Sequence, residues 1–259
     1  MKIGVCTGLN NLQQAAECGF DFVECSASWL AGLSEEEYQG WLARKDSFAI
    51  PVLCCNGFLP ESVPITGPAA DAWQQNTYVD KTFARASALG VKTVVFGSSR
   101  ARNVPEGADY TQAWRQIADF LRRCIHYCER YDITIAIEPL GRREANIVNL
   151  VSEAQLLAAM VDHPRIAVLG DTYHMDCCAE PFSALTRAGR LLRHVHISCP
   201  LLEQHTRTYP SPDDGCPDYA EVAAVLKEMG YEGAVSVEAG CKDFAVDGKA
   251  AAECLKALM

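Results

Sequence analysis

The 259-residue sequence is poor in positive charge, with 23 Lys and Arg against 33 Asp and Glu and a formal net charge of −10. Binding to a nucleic-acid backbone requires a basic surface, so we expect no nucleic-acid partner. No apolar run is long enough to span a bilayer, and the first residues lack the features of a signal peptide. We therefore expect a cytoplasmic protein without a membrane partner.

Several familiar motifs are also missing. The pairs Cys54-Cys55 and Cys177-Cys178 lack the two-residue gap that is typical of zinc and redox motifs. The 13 cysteines are odd in number and several lie in apolar runs, so we expect buried, reduced thiols. No Gly-x-Gly-x-x-Gly follows the first predicted strand, which disfavours a dinucleotide-binding sheet. No linker divides the chain, and we predict a single domain over residues 1–259.

Eight short apolar runs alternate with amphipathic segments along the chain. The runs, which we predict to be strands, are residues 3–6, 22–25, 52–55, 93–96, 134–137, 167–169, 194–197 and 234–237. The helical patterns are residues 12–18, 34–47, 69–89, 111–131, 151–161, 182–188, 219–229 and 248–258. Eight such alternations in this length predict the α/β class and a single (β/α)₈ TIM barrel. An open, doubly wound sheet is the alternative.

Four successive predicted strands lead into residues that can bind a metal ion. They are Glu138, Asp171, His196 and Glu238, from the fifth to the eighth strand. Because the active sites of TIM barrels lie at the C-terminal ends of the strands, we expect these side chains to meet. Carboxylates this close repel one another unless a cation or a shared proton offsets the repulsion. The donor types favour Mn²⁺, Mg²⁺ or Co²⁺ over metals that prefer thiolates.

Two further histidines accompany this group. His174 follows Asp171 by three residues. Its alternative roles are a second metal ligand, a hydrogen-bond donor to the substrate and an ordinary loop residue. We rank contact with the substrate first. His194 shares a strand face with His196 but lies one layer deeper in the barrel. We therefore expect His194 to orient its neighbours rather than bind the metal.

The loops after strands two to four contain further candidates. Residues 97–102 include two serines and two arginines, which either bind a phosphate or carboxylate or pair with nearby acids in solvent. Trp29 and Phe58 follow strands two and three, where they either wall the pocket or pack elsewhere. Trp73 lies in a helical pattern and is expected in the core.

These motifs resemble the xylose isomerase-like superfamily of sugar isomerases and epimerases, and within it the ketose 3-epimerases of the D-tagatose and D-psicose type. Glu138-Pro139-Leu140-Gly141-Arg142-Arg143-Glu144 is similar to the strand-five motif of that family. Asp171-x-x-His174, His-x-His196 and Val-Ser-Val-Glu238 are similar to its later motifs. The likeness covers nearly the whole chain and is sharpest from Ile133 onward.

The resemblance implies a role for each matching residue. Glu138 and Glu238 would be the catalytic pair, and together with Asp171 and His196 they would bind one divalent metal ion. Mn²⁺ is the first choice, with Mg²⁺, Co²⁺ or Zn²⁺ as alternatives. The remaining matches, Glu144 and His174, would contact the substrate.

Two features depart from the family pattern. The epimerases place an Arg shortly after the strand-seven His to hold substrate hydroxyls, whereas the nearest Arg here is Arg207. It would bind substrate only if the intervening loop is longer. The first strand leads into Cys6-Thr7-Gly8-Leu9 instead of an aromatic cluster. These departures leave the identity of the sugar open.

The sequence and the resemblance together predict a metal-dependent sugar epimerase or isomerase. Its partner would be a ketose or ketose phosphate, with a proton transferred through a metal-stabilised cis-enediolate, and the family also suggests a homo-oligomer. Alternatives are a hydroxypyruvate isomerase or an inosose dehydratase on the same scaffold, and a non-catalytic sugar-binding barrel. An endonuclease of the same superfamily is disfavoured by the acidic charge and by a total of six histidines.

Overall fold

The structure is a computed structural model that describes residues 1–211 and 219–259. Its strands are β1 (Lys2–Cys6), β2 (Phe22–Ser26), β3 (Val52–Asn56), β4 (Thr93–Phe96), β5 (Thr134–Ile137), β6 (Ile166–Asp171), β7 (Leu192–Ile197), β8 (Cys199–Leu201), β9 (Thr206–Thr208) and β10 (Ala234–Val237). Strands β1–β7 and β10 form a closed parallel barrel, with β10 between β7 and β1. Strands β8 and β9 pair antiparallel as a separate hairpin. The predicted TIM barrel is confirmed.

The helices surround this barrel. They are α1 (Leu12–Glu17), α2 (Ala27–Gly32), α3 (Glu35–Ala43), α4 (Ala72–Leu89), α5 (Ser99–Arg102), α6 (Tyr110–Tyr131), α7 (Val151–Val161), α8 (Thr172–Cys177), α9 (Ala184–Ala188), α10 (Tyr219–Glu228) and α11 (Phe244–Leu258). Among residues 1–211 and 219–259, no helix combines the length and apolarity that crossing a membrane requires.

Local sequence signals account for most of these elements. All four residues of β5 are buried, as expected for a strand that is covered on both faces. Helix α6 buries Ile117, Leu121, Cys124 and Cys128, whose spacing of three and four residues forms one apolar stripe. These runs therefore fold as their hydrophobic periods predict.

The structure also contains elements that the apolar pattern did not predict. Helices α2 and α8 begin directly after strands, where Ser26 and Asp171 cap them by accepting backbone N–H bonds. Helix α5 is a single turn, and the hairpin of β8 and β9 lies in what was predicted to be a loop. Elements this short are fixed by their contacts, because one turn of helix or three residues of strand carry too little periodicity.

The prediction of uniformly reduced cysteines is wrong at one position. Among residues 1–211 and 219–259, eleven cysteines are free, but Cys199, the first residue of β8, is disulfide-bonded. Cys25 and Cys55 lie side by side on β2 and β3 with their sulfurs 3.5 Å apart, so they are not bonded to each other. Cys216 lies outside the described residues.

Candidate metal centre and active site

The C-terminal end of the barrel brings together the four residues that were predicted to bind metal. Glu138 follows β5, Asp171 ends β6, His196 lies in β7 and Glu238 follows β10. One donor atom from each of the four lies within 4.8 Å of the other three. His196 Nδ1 is 2.9 Å from Glu238 Oε2, 3.1 Å from Glu138 Oε1 and 3.7 Å from Asp171 Oδ2. The side chains thus form one cluster, whose roles stay predictions at this point.

Gly97 makes room for Glu138 in this cluster. A Cβ atom built on Gly97 would lie 2.2 Å from Glu138 Oε2, far inside ordinary contact distance. The loop after β4 therefore approaches the carboxylate as closely as it does only because residue 97 has no side chain. Sequence reasoning did not single out this glycine.

Arg207 reaches the cluster from β9. Its Nη1 donates to Asp171 Oδ2 at 2.6 Å, and its Nη2 donates to Glu238 Oε2 at 2.9 Å. The hairpin of β8 and β9 supplies the longer loop that this contact needs. On the other side of Glu238, Asn56 at the end of β3 donates to Oε1 at 2.9 Å. Asn56 was not among the predicted site residues.

His174 and Glu144 lie beside the cluster. The buried His174 ring accepts a hydrogen bond at Nδ1 from the backbone N–H of Gly141, at 3.1 Å. In a neutral ring the proton is therefore on Nε2, which lies 3.9 Å from Asp171 Oδ2. The half-exposed Glu144 carboxylate lies 3.9 Å from His174 Nδ1. Both side chains are thus placed where a substrate would meet them.

A cavity of about 340 Å³ opens above these groups. Glu138, Glu144, His174, Arg207 and Glu238 all line it. Its size lies at the small end of the range for ligand pockets, which suits a molecule the size of a monosaccharide. The three residues predicted to contact substrate therefore face the same space as the two predicted catalytic carboxylates.

The loop after β4 also faces this cavity, through Gly97, Ser98, Ser99 and Arg100. Arg100 pairs with Glu61 at 3.3 Å, whereas the buried Arg102 donates to two backbone carbonyls. Binding of an anion and pairing with nearby acids therefore both stay predictions for residues 97–102.

Phe58 packs on other phenylalanines and Trp29 packs on Trp41. Neither side chain lines the cavity, so both follow the alternative in which they pack elsewhere.

The prediction that Trp73 lies in the core is wrong. Its side chain is 77% exposed on α4 rather than buried in the core. Residue 73 is the second residue of that helix, and its position on the outer face decides its exposure more than its apolarity does.

Glu24 is the main site residue that sequence reasoning missed. It lies in β2 and is fully buried, yet its carboxylate contacts both histidines of β7. Its Oε1 lies 2.9 Å from His196 Nε2, and its Oε2 lies 2.7 Å from His194 Nε2. The available signal was a lone charge within the apolar run Phe22–Ser26. His194 lies deeper than the cluster and contacts Glu24, and its expected role in orienting its neighbours stays a prediction.

The pKa values of the clustered carboxyl groups diverge. Burial raises the pKa of Glu138, and the carboxylates of Glu238 and Asp171 add to this effect. Burial also acts on Glu238, but His196 and Arg207 lower the pKa of that group. Burial acts on Asp171 too, but Arg207 and His174 hold its pKa well below the ordinary value. Glu138 is therefore the member of the trio that most readily accepts a proton.

The cluster fits a divalent cation by the chemistry of its donors. Three carboxylates and one imidazole nitrogen offer the oxygen and nitrogen ligands that Mn²⁺, Mg²⁺, Co²⁺ and Zn²⁺ accept. Burial disfavours a charged imidazole, yet Glu238 and Glu24 raise the pKa of His196 well above its usual value. The site thus attracts positive charge strongly, as a cation-binding site must.

The family assignment follows from a profile match over most of the chain. Residues 12–258 match the family described as xylose isomerase-like TIM barrel, and the chain belongs to it. It is 24% identical to a D-psicose 3-epimerase of Agrobacterium fabrum over 236 residues, or 88% of this chain and 77% of that protein. It is 26% identical to an inosose dehydratase of Clostridium beijerinckii over 144 residues, or 49% of this chain and 47% of that protein.

Solved structures share the fold. The D-allulose 3-epimerase of Methylomonas sp. in complex with D-allulose has a TM-score of 0.85 and 19% identity, and the match covers 100% of this chain and 97% of that chain. The IolI protein with a bound zinc atom has a TM-score of 0.72 and 18% identity, covering 100% and 96% of the two chains. With relatives named as epimerases, the chain is an enzyme of the isomerase class.

Proposed function

We propose that this protein is a metal-dependent ketose epimerase that inverts a carbon next to the ketose carbonyl. The observation that carries the proposal is the cluster of Glu138, Asp171, His196 and Glu238, whose donor atoms lie within 4.8 Å of one another. A binding protein has no need for two carboxylates of divergent pKa on the floor of its cavity, whereas a proton-transfer enzyme does. The epimerases among the relatives support the same choice.

The four clustered residues would hold one divalent metal ion. We place Mn²⁺ first, with Mg²⁺, Co²⁺ and Zn²⁺ as alternatives, because three of the four ligands are carboxylates. When bound, the ion would polarise the ketose carbonyl and make the adjacent C–H bond more acidic.

Glu138 and Glu238 would move the proton. One carboxylate takes the proton from the carbon next to the carbonyl, and the electron pair of that C–H bond shifts into an enediolate. The other carboxylate returns a proton to the opposite face, and the electron pair re-forms the C–H bond with inverted configuration. Because β5 and β10 are separated by β6 and β7 in the barrel, the two carboxylates approach the cavity from different sides.

His174, Arg207 and Glu144 would hold the sugar. His174 offers Nε2–H as a donor, since its Nδ1 already accepts from Gly141. Arg207 presents a guanidinium that is fixed by Asp171 and Glu238, so it loses little freedom when it donates to a substrate hydroxyl. Glu144 is half-exposed at the cavity and can accept from a hydroxyl group. The substrate class is a ketose or a ketose phosphate.

Solvent exchange tests the proposal directly. Ketoses and ketose phosphates would be incubated in D₂O with added Mn²⁺ or with a chelator, and analysed by NMR and mass spectrometry. We expect chelator-sensitive deuterium at the carbon next to the carbonyl, together with the epimer. The variants Glu138→Gln and Glu238→Gln should each lower the exchange rate by at least about a hundredfold, the usual scale of a lost acid or base. Glu36→Gln is the matched control, because Glu36 is exposed in the first turn of α3 and does not line the cavity.

Two results would contradict the proposal. Near-wild-type exchange in both the Glu138→Gln and the Glu238→Gln variants would remove the carboxylates from the chemistry. Tight Mn²⁺ binding with no exchange into any ketose would exclude ketose epimerisation.

A dehydratase is the second candidate, because one relative is an inosose dehydratase. The same carboxylates would then remove the proton, but a hydroxyl group on the neighbouring carbon would leave as water. A product lighter by one water molecule, formed from an inosose and not from ketoses, would favour this reaction over epimerisation.

A further inference from the structure

Glu24 is a charged side chain buried inside the barrel, and the proposed reaction does not use it. It is fully buried in β2, between the thiols of Cys6 on β1 and Cys54 on β3. Those thiols cannot neutralise it, since burial raises the pKa of both and keeps them uncharged. A buried carboxylate costs several kcal/mol unless it is well bonded, so its partners must explain its presence.

The partners of Glu24 lie across the barrel. Strand β7 is separated from β2 by β1 and β10, and the Glu24 side chain spans the interior to reach it. Its two oxygens are shared between two imidazoles: Oε1 lies 2.9 Å from His196 Nε2, and Oε2 lies 2.7 Å from His194 Nε2. One carboxylate therefore holds both histidines of the His-x-His motif.

These contacts fix which nitrogen of His196 faces the cluster. A carboxylate accepts hydrogen bonds, so the proton of each neutral ring lies on the Nε2 that faces Glu24. The unprotonated nitrogen of His196 is then Nδ1, which is 2.9 Å from Glu238 and 3.1 Å from Glu138. Nδ1 is the nitrogen that a metal ion in this cluster would need.

His194 supports the arrangement from below. Its Nδ1 is buried without a hydrogen-bond partner, so the contact with Glu24 is its one polar anchor among the described residues. Its ring meets the His196 ring edge-on, with the centroids 5.0 Å apart and the planes at 84°. His194 thus occupies the second oxygen of Glu24 and packs against the ring that faces the cluster.

We propose that Glu24 is a positioning residue of the metal centre, which fixes the tautomer and the ring plane of His196 through its bond to Nε2. This inference rests on the proposed function for the identity of the metal ligands. Partners that orient a ligating histidine commonly change metal affinity by roughly 10- to 100-fold when they are lost.

The test compares Glu24→Gln with the wild-type protein. Glutamine has nearly the same size, but its amide presents one acceptor and one donor, so it cannot accept from both rings. We expect the affinity for Mn²⁺ alone, measured by competition with a chelating dye, to fall by roughly 10- to 100-fold. The ¹⁵N shifts of the protein loaded with diamagnetic Zn²⁺ should show His196 with its proton on Nε2 in the wild type, and should change in the variant. Glu36→Gln, at an exposed position of α3, is the matched control and should change neither quantity.

A second variant keeps the test open if Glu24→Gln does not fold. Glu24→Asp retains the charge but is shorter by one methylene, so its carboxylate cannot reach both rings, and we expect a similar loss of Mn²⁺ affinity. Unchanged affinity and an unchanged ¹⁵N pattern in a folded variant would overturn the inference. Since neither measurement involves a sugar, the inference can hold when no ketose is epimerised, and fail when epimerisation is observed.

Discussion

Substituting Gly97 with alanine should displace the Glu138 carboxylate without unfolding the protein. The added Cβ would lie 2.2 Å from Glu138 Oε2, so the carboxylate must move by about 1.2 Å to reach the 3.4 Å of an ordinary contact. The atom that must move is the flexible end of a side chain, and the φ angle of Gly97 is not in the left-handed region. We therefore expect a cost near the lower end for over-packing, about 1 kcal/mol, which lowers Tm by about 2–4 °C.

The same displacement should be severe for catalysis. A misplacement of about 1 Å in a reacting group costs roughly a hundredfold in rate, so kcat of Gly97→Ala should fall by about that factor. The assay is deuterium uptake from D₂O into the ketose that the wild type epimerises, with Mn²⁺ affinity and Tm measured on the same samples. Gly8→Ala is the matched control, because Gly8 follows β1 at the same end of the barrel and its built Cβ meets no atom within 4 Å.

A Gly97→Ala variant with kcat within twofold of the wild type would refute this reasoning. It would show that the Glu138 carboxylate tolerates a displacement of 1.2 Å, and therefore that its position is not critical. An equal loss in Gly8→Ala would show instead that any added methyl group at this end of the barrel impairs the enzyme.

Three further predictions concern the substrate contact, the metal and pH. Arg207→Lys keeps the charge, but a lysine cannot bridge Asp171 and Glu238 as the guanidinium does. Losing one charge-assisted hydrogen bond to the sugar, of about 1.5–3 kcal/mol, should raise KM by about 10- to 100-fold. An unchanged KM would remove Arg207 from the sugar site. Chelator should abolish exchange, and Mn²⁺ at a hundred times its Kd should restore it and raise Tm by about 5–10 °C, whereas an unchanged Tm would argue against a bound ion. Burial raises the pKa of Cys128 and of Tyr78 to about 12, from ordinary values of 9.0 and 10.0. Above pH 9 these two groups therefore lose their protons more readily in the unfolded chain than in the folded protein, which lowers the free energy of unfolding. The urea concentration at the unfolding midpoint should fall between about pH 9 and pH 12, and it should fall less steeply in Cys128→Ala.

The alternation of strands and helices in the barrel could be predicted from the sequence, because each element has its own hydrophobic period. All eight predicted strands are present, and their ends differ from the prediction by two residues or fewer. The chemical residues followed from the same pattern, since a charge or an imidazole at the end of a buried strand stands out. Glu138, Asp171, His196 and Glu238 were recognisable in this way before any contact between them was known.

The contacts across the barrel depended on the tertiary structure. Glu24 lies far from His194 and His196 in the chain, and only the closure of the barrel brings its carboxylate to both rings. The hairpin of β8 and β9 likewise decides that Arg207 reaches the cluster, a contact that sequence spacing left open. The sequence by itself therefore determined the class of the fold and the kind of chemistry, because periodicity and charge are local properties. Only the closed barrel decided which side chains orient the site, because that depends on distances through its interior.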